Sequence, residues 1–219
     1  HRTDADAPSV MDLVSRAVTA HAAISHPTCT LNMIARNEGP RIGAALDSVD
    51  DIMDEIVVGD TGSDDDTIAV ALMYGARVAT IGWQNDFSGS RNRVLGLSAC
   101  TWVFWMDADD RLESLSRARL KDLWCTAAPQ AVAFCIANTT SGQPGPEFLQ
   151  FRLFPRDKEI RFERPVHEQF VKSAIRAGLP CRADETIRIM HTGYCNPQMQ
   201  IAKATRNKPL IEAAVAANT

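Results

Sequence analysis

Apolar residues along this chain fall into two alternating patterns. Short unbroken runs at Thr30 to Ile34, Glu55 to Gly59, Ala76 to Ile81 and Trp102 to Met106 have the length and continuity of strands covered on both faces. Between them, apolar residues recur every three or four positions. Ile42, Ala45, Leu46 and Val49 follow Pro40, a second such segment runs from Ser63 through Tyr74, and Val94, Leu95 and Leu97 form the third. Pro40 suits the first turn of a helix, Ser63 and Asp66 have capping-box-like spacing, and Gly75 closes the second helix. The resulting order, βαβαβαβ, specifies a mostly parallel sheet with right-handed crossovers, so the four strand ends lie on one edge.

After residue 112 the rhythm changes. A helix is expected from about Ser114 to Cys125, followed by strands at Ala131 to Ala137 and Phe148 to Phe154 around a Gly- and Pro-rich turn at Ser141 to Pro146. A loop segment Val166-His167-Glu168-Gln169-Phe170 comes next. Thr186 to Met190 reads as a strand running into His191-Thr192-Gly193-Tyr194, and Pro197 to Ala216 as a last helix. Upstream, Val10, Leu13, Val14 and Val18 predict a peripheral helix that ends before Pro27. The fold class is therefore α/β, with a Rossmann-like, mostly parallel central sheet, helices on both faces and a smaller, partly antiparallel half. The expected division is an N-terminal helix over 1–28, a ligand-binding half over 29–112 and a second half over 113–219.

Ligands of open α/β sheets sit at the carboxyl ends of strands, where the run Trp102 to Met106 stops in Asp107-Ala108-Asp109-Asp110. Two acids one residue apart can face one hard cation; the alternative is a solvated turn leading into a helix cap. Arg36, Asp60 and Asp107 end different strands and would converge. Asp60 can serve either a ligand N–H or its own turn ahead of Thr61-Gly62. Arg91 sits where a helix opens and is an anion candidate, although a solvated helix face accounts for Arg91 and Arg93 as well. Glu168 and His167 form a second polar focus, with an ion pair to Arg161 or Arg164 as the structural alternative. His191, after a strand and before Gly193, is the imidazole best placed to act as a ligand.

Composition narrows the classes. With 219 residues, 45% hydrophobic and 23% charged, the chain is an ordinary globular protein with room for one sizeable core. A net charge of -4 without a Lys/Arg cluster argues against nucleic acid as a partner. No apolar segment approaches the roughly 18 to 20 residues that span a bilayer, and no signal peptide is recognisable. The cysteines at 29, 100, 125, 135, 181 and 195 form no CxxC pair, so a reduced, cytoplasmic protein is expected, with a Cys181–Cys195 bridge left open.

Taken in order, Ile34-Ala35-Arg36-Asn37-Glu38, Val58-Gly59-Asp60-Thr61-Gly62-Ser63-Asp64-Asp65, Phe87-Ser88-Gly89-Ser90-Arg91-Asn92 and Trp105-Met106-Asp107-Ala108-Asp109-Asp110 resemble the family 2 glycosyltransferases with the GT-A fold. Val166-His167-Glu168-Gln169 and His191-Thr192-Gly193-Tyr194 are similar to a branch that includes peptide S-glycosyltransferases and repeat-fused members. The resemblance covers about residues 29 to 207. It implies metal-dependent, inverting transfer from a UDP-sugar, with the donor on 29–112 and the acceptor on 113–219. Asp109 would hold Mn²⁺ or Mg²⁺ with His191 as a further ligand, and Asp107, across Ala108, would contact the ribose. Asp60 would read uracil, Arg36 the base or a phosphate, and Arg91 a phosphate. Glu168 would be the base, with His167 orienting it or binding substrate, and Asp110 a helix cap or supporting group. Trp83, Trp105 and Tyr194 are candidates for stacking on sugar or base, or for the core. An acceptor glycan, lipid carrier or peptide fits equally well. A nucleotide-sugar binding module without turnover is the alternative. A nucleotidyltransferase is a weaker one, because the first strand lacks the Gly-rich, Lys/Arg-containing loop that a triphosphate requires.

Overall fold

The computed structural model describes residues 26–140, 143–193 and 197–216. The predicted N-terminal helix, Ser141, Tyr194 and Cys195 fall outside the described residues. The elements run β1 (Cys29–Ala35), α1 (Gly39–Asp47), β2 (Glu55–Asp60), α2 (Thr67–Met73), β3 (Arg77–Thr80), α3 (Phe87–Leu95) and β4 (Trp102–Trp105). They continue with β5 (Asp110–Leu112), a 3-10 turn at Ser114–Ser116 leading into α4 (Arg117–Thr126), β6 (Ala131–Thr140), β7 (Gln143–Pro155), α5 (Val171–Arg176), β8 (Cys181–His191) and α6 (Pro197–Ala216).

Among the described residues, eight strands join one sheet in the order β3-β2-β1-β4-β7-β6-β8-β5. The first four are parallel, and β7 returns antiparallel against β4. Chain order reverses direction between β1 and β4, which creates a crevice at their carboxyl ends. β6 pairs antiparallel with β7 and parallel with β8, and β5 closes the far edge antiparallel to β8.

β4 shows why the run Trp102 to Met106 had to be continuous. Trp102, Phe104 and Met106 enter the core under α1, α2 and α4, where they meet Ile42, Leu46, Ala71, Leu123 and Trp124. Val103 and Trp105 point the other way and pack with Leu95 of α3, Phe154, Phe162, Phe170 and Ala174 of α5. A strand covered on both faces has no solvent side on which polar residues could alternate.

Three local expectations change. Helix α2 begins at Thr67, not Ser63, and its N-cap Asp66 makes no side-chain cap. Ser63 Oγ instead accepts the N–H of Asn37 at 3.0 Å, and Asp65 accepts those of Gly39 at 3.0 Å and Thr67 at 2.9 Å. Ser63 and Asp65 after β2 therefore brace the chain between β1 and α1. Asp110 is not a helix cap but the first residue of β5. The short helix α5 has no counterpart in the sequence reading, because six residues hold too little apolar periodicity. The five described cysteines are free, and no described helix is long and apolar enough to cross a membrane.

Gly59 of β2 is where α3 rests on the sheet: a Cβ there would collide with Val94 of α3 and with Ile81. Gly59→Ala is expected to destabilise the protein by about 1–3 kcal/mol in urea unfolding through overpacking. An unchanged midpoint would show that α3 does not seat there.

Candidate active site

A cavity of about 520 Å³ opens at the carboxyl ends of the parallel strands. The first half of the chain lines it with Ala35 and Arg36 at the end of β1, Thr61 after β2 and Asp107 to Asp109 after β4; the second half lines it with Asn138, Gln150, Arg152, His167, Glu168 and His191. Trp83, Phe87 and Arg206 line it as well, with the Arg206 guanidinium 5.0 Å from the Phe87 ring centroid.

Strand register builds the acidic end. β5 pairs Asp110 with His191, and the backbone N–H and hydroxyl of Thr192 both donate to the Asp109 carbonyl, at 2.9 and 2.8 Å. Asp109, Asp110 and His191 bring ligand-type atoms within 4.8 Å of one another. His191 Nδ1 lies 2.7 Å from Asp110 Oδ1 and 3.6 Å from Asp109 Oδ1. Burial disfavours the charged imidazole, but the Asp110 hydrogen bond and the charges of Asp109, Asp110 and Asp107 outweigh it and raise the pKa of the ring.

Two buried guanidiniums balance this end. Arg91 is 3% exposed; its Nη2 donates to Asp107 Oδ1 at 2.5 Å and its Nε to Glu168 Oε1 at 2.7 Å. Arg152 is 2% exposed; its Nη1 lies 3.0 Å from Asp110 Oδ2 and its Nη2 3.6 Å from Asp107 Oδ2. Both stack on Trp105, with guanidinium carbons 4.0 and 3.7 Å from the ring centroid. Burial alone would raise the Asp107 carboxyl, but Arg91 and Arg152 hold it well below the usual carboxylate range. Arg91 is in turn held above its ordinary value by Asp107 and Glu168, against the effect of burial. The oxygen donors of Asp109 and Asp110 and the imidazole of His191, gathered in one cluster, are a donor set that fits a divalent cation such as Mn²⁺.

The predicted residues separate into groups. Arg36, Arg91, Asp107, Ala108, Asp109, His167, Glu168 and His191 all line the cavity. Asp60 does not. It is 2% exposed, and its carboxylate accepts the N–H of Gly62 at 3.0 Å and of Ser63 at 3.2 Å, so its geometry is that of a turn residue. The start of α3 is not an open anion site, because Asp86 caps it, accepting from Gly89 N–H at 3.0 Å and Ser88 Oγ at 2.8 Å. Arg91 faces acids, and the partner of Glu168 is Arg91 rather than Arg161 or Arg164. Glu38 pairs with Arg41. Trp83 lines the cavity and Trp105 lies beneath the arginines.

The loop bearing Glu168 is held at several points. Asn92 of α3 accepts from Phe162 N–H and donates to Phe162 O, each at 2.8 Å, and Glu163 and Gln169 bridge their backbones. His167 sits at φ 55°, a left-handed conformation uncommon for its type and often found at functional loops. Arg152 was missed. Its one signal is a charge in the middle of the apolar run Phe148 to Phe154.

The profile described as Glycosyl transferase family 2 matches residues 30–177. The chain is 37% identical over 178 residues to a TPR repeat-containing protein of Synechococcus elongatus, covering 78% of this chain and 43% of that protein. It is 24% identical over 209 residues to the SPbeta prophage-derived glycosyltransferase SunS of Bacillus subtilis, covering 94% and 48%. The chain thus spans less than half the length of these relatives. Among solved structures, S. aureus TarS 1-349 in complex with UDP-GlcNAc aligns with a TM-score of 0.62 at 14% identity, covering 79% of this chain and 60% of that one. Glucosyl-3-phosphoglycerate synthase from Mycobacterium tuberculosis, in complex with Mn²⁺, UDP and phosphoglyceric acid, aligns with a TM-score of 0.58 at 18% identity, covering 94% and 81%.

Because ionised Asp107 is stabilised by two arginines, its contribution to stability is expected to be complete above about pH 4, the unfolded carboxylate value, and to fade as pH falls toward the depressed folded value. The difference in unfolding free energy between wild type and Asp107→Asn, followed by urea titration from pH 7 to pH 2.5, should be flat and then shrink. A difference that grows on acidification would contradict the assignment.

Proposed function

Since the chain belongs to glycosyltransferase family 2 and has the GT-A fold, we propose that it transfers a sugar, with inversion, from a UDP-sugar to an acceptor hydroxyl or thiol. The observation that carries this reading is the cluster of Asp109, Asp110 and His191 at the crevice between β1 and β4. Asp109 and His191 would hold Mn²⁺ or Mg²⁺, which when bound neutralises the donor diphosphate as the nucleotide leaves. With Nδ1 engaged by Asp110, His191 would meet a cation through Nε2.

Asp107, about one third exposed, would offer an oxygen to the ribose or to a water while Arg91 and Arg152 fix its direction. Arg36, at the end of β1, would contact base or phosphate. The turn geometry of Asp60 favours the loop-bracing role over reading uracil.

Glu168 is the base in this reading. Its side chain is 12% exposed, it lines the same cavity as Asp107 and Asp109, and Arg91 holds it at 2.7 Å. The carboxylate would take the acceptor proton as the acceptor attacks the anomeric carbon, and His167 would position it or the acceptor. The metal-ion and UDP complexes of the aligned structures support the donor class. An acceptor glycan, lipid carrier or peptide is compatible with the lining from the second half of the chain, and the location proposed is cytoplasmic.

Calorimetry with UDP and Mn²⁺ tests the donor site. Wild type is expected to bind UDP in a Mn²⁺-dependent way and Asp109→Ala to lose that dependence; retention by the variant would overturn the ligand assignment. Glu168→Gln is expected to bind UDP normally while transfer falls by about 10²–10⁴-fold. UDP binding with no donor hydrolysis or transfer by wild type would favour a binding module instead.

A further inference from the structure

We propose that Arg152 is a positioning residue for the cation site, acting on His191 through Asp110; the proposal rests on Asp109 and His191 being the metal ligands. Asp110 is wholly buried and its two oxygens have separate partners. Oδ2 forms an ion pair with Arg152 Nη1 at 3.0 Å and accepts the Asp107 backbone N–H at 3.0 Å, while Oδ1 lies 2.7 Å from His191 Nδ1. Guanidinium, carboxylate and imidazole thus form a chain whose last member faces the cation. A carboxylate behind a metal-bound imidazole fixes the tautomer and aim of the ring. Here the carboxylate needs a support of its own, since an isolated buried charge would turn away or protonate. Among the described residues, Arg152 is the one Arg or Lys paired with Asp110.

Arginine rather than lysine is required by geometry. One planar fork reaches Asp110 with Nη1 and Asp107 with Nη2 while its face lies 3.7 Å from the Trp105 ring centroid. An ammonium is a point charge that cannot serve two carboxylates and stack flat at once. By engaging Asp107 and Asp110, Arg152 leaves Asp109 and His191 as the groups presented to the metal.

The test is Mn²⁺ binding in the presence of UDP, read by electron paramagnetic resonance of free Mn²⁺, alongside thermal unfolding. Arg152→Met is expected to weaken Mn²⁺ binding at least tenfold and to lower the unfolding temperature, since it leaves buried Asp110 without its guanidinium. Adding Asp110→Asn should bring the unfolding temperature back toward wild type without restoring Mn²⁺ affinity. A single amide oxygen cannot accept from both the Asp107 N–H and the His191 ring. Affinity that returns together with thermal stability would make Arg152 a packing partner only and overturn the proposal. Arg152→Lys keeps the charge and decides the matter if the methionine variant does not fold: tenfold weaker binding supports the proposal, and binding within threefold of wild type overturns it. A wild-type protein that takes up no Mn²⁺ with UDP refutes the ligand assignment itself, and this proposal with it.

Discussion

Charge burial at the end of β4 is the constraint to which the rest of the structure answers. Carboxylates lose several kcal/mol each when they leave water, and their close approach adds repulsion. The protein meets this with two guanidiniums buried on Trp105. Each imposes a demand on distant chain. Arg91 must be carried over the end of β4 by α3, which needs the Asp86 cap at its start and the bare backbone of Gly59 beneath its last turn. Arg152 must come back along β7, which explains why a parallel sheet accepts an antiparallel strand beside β4.

The same constraint divides the work among the acids. Asp107 faces two arginines and is neutralised; Asp110 is committed to Arg152 and His191; Asp109 sits between them, with its carbonyl bonded to Thr192. Family membership and the GT-A fold agree with that division, because the acidic turn lies at the crevice where chain order reverses. Glu168 is tied to Asp107 through Arg91, so the two halves of the chain share one buried cation.

Much of the cavity lining at the ends of the parallel strands was legible because β1, β2 and β4 are continuous apolar runs that stop in polar residues, and such runs mark strand ends without reference to anything distant. The same local pattern, however, covers two outcomes. Asp60 and Asp107 both follow an apolar strand, yet the first braces its own turn and the second enters the cavity. The difference is which strand borders the switch point, a property of the sheet and not of the segment. Partners across long separations were likewise hidden. Arg161 and Arg164 are near Glu168 in sequence, but Arg91, 77 residues away, is the one that burial brings to it. Arg152 was illegible for a related reason: a lone charge in an alternating strand reads as a solvent position until the opposite face is known to be covered.

The pairing of Asp110 with His191 joins residues 81 apart, and it closes the last edge of the sheet. Contacts of such separation form only after their loop-closing entropy has been met by other structure. The candidate cation site should therefore be among the last features to appear as the chain folds. Until β8 arrives, Asp110 lacks the ring that occupies one of its two oxygens, and Arg152 and the Asp107 N–H support the other. The acidic turn would thus be assembled before it can discriminate among ions, and selectivity would begin only with the final strand.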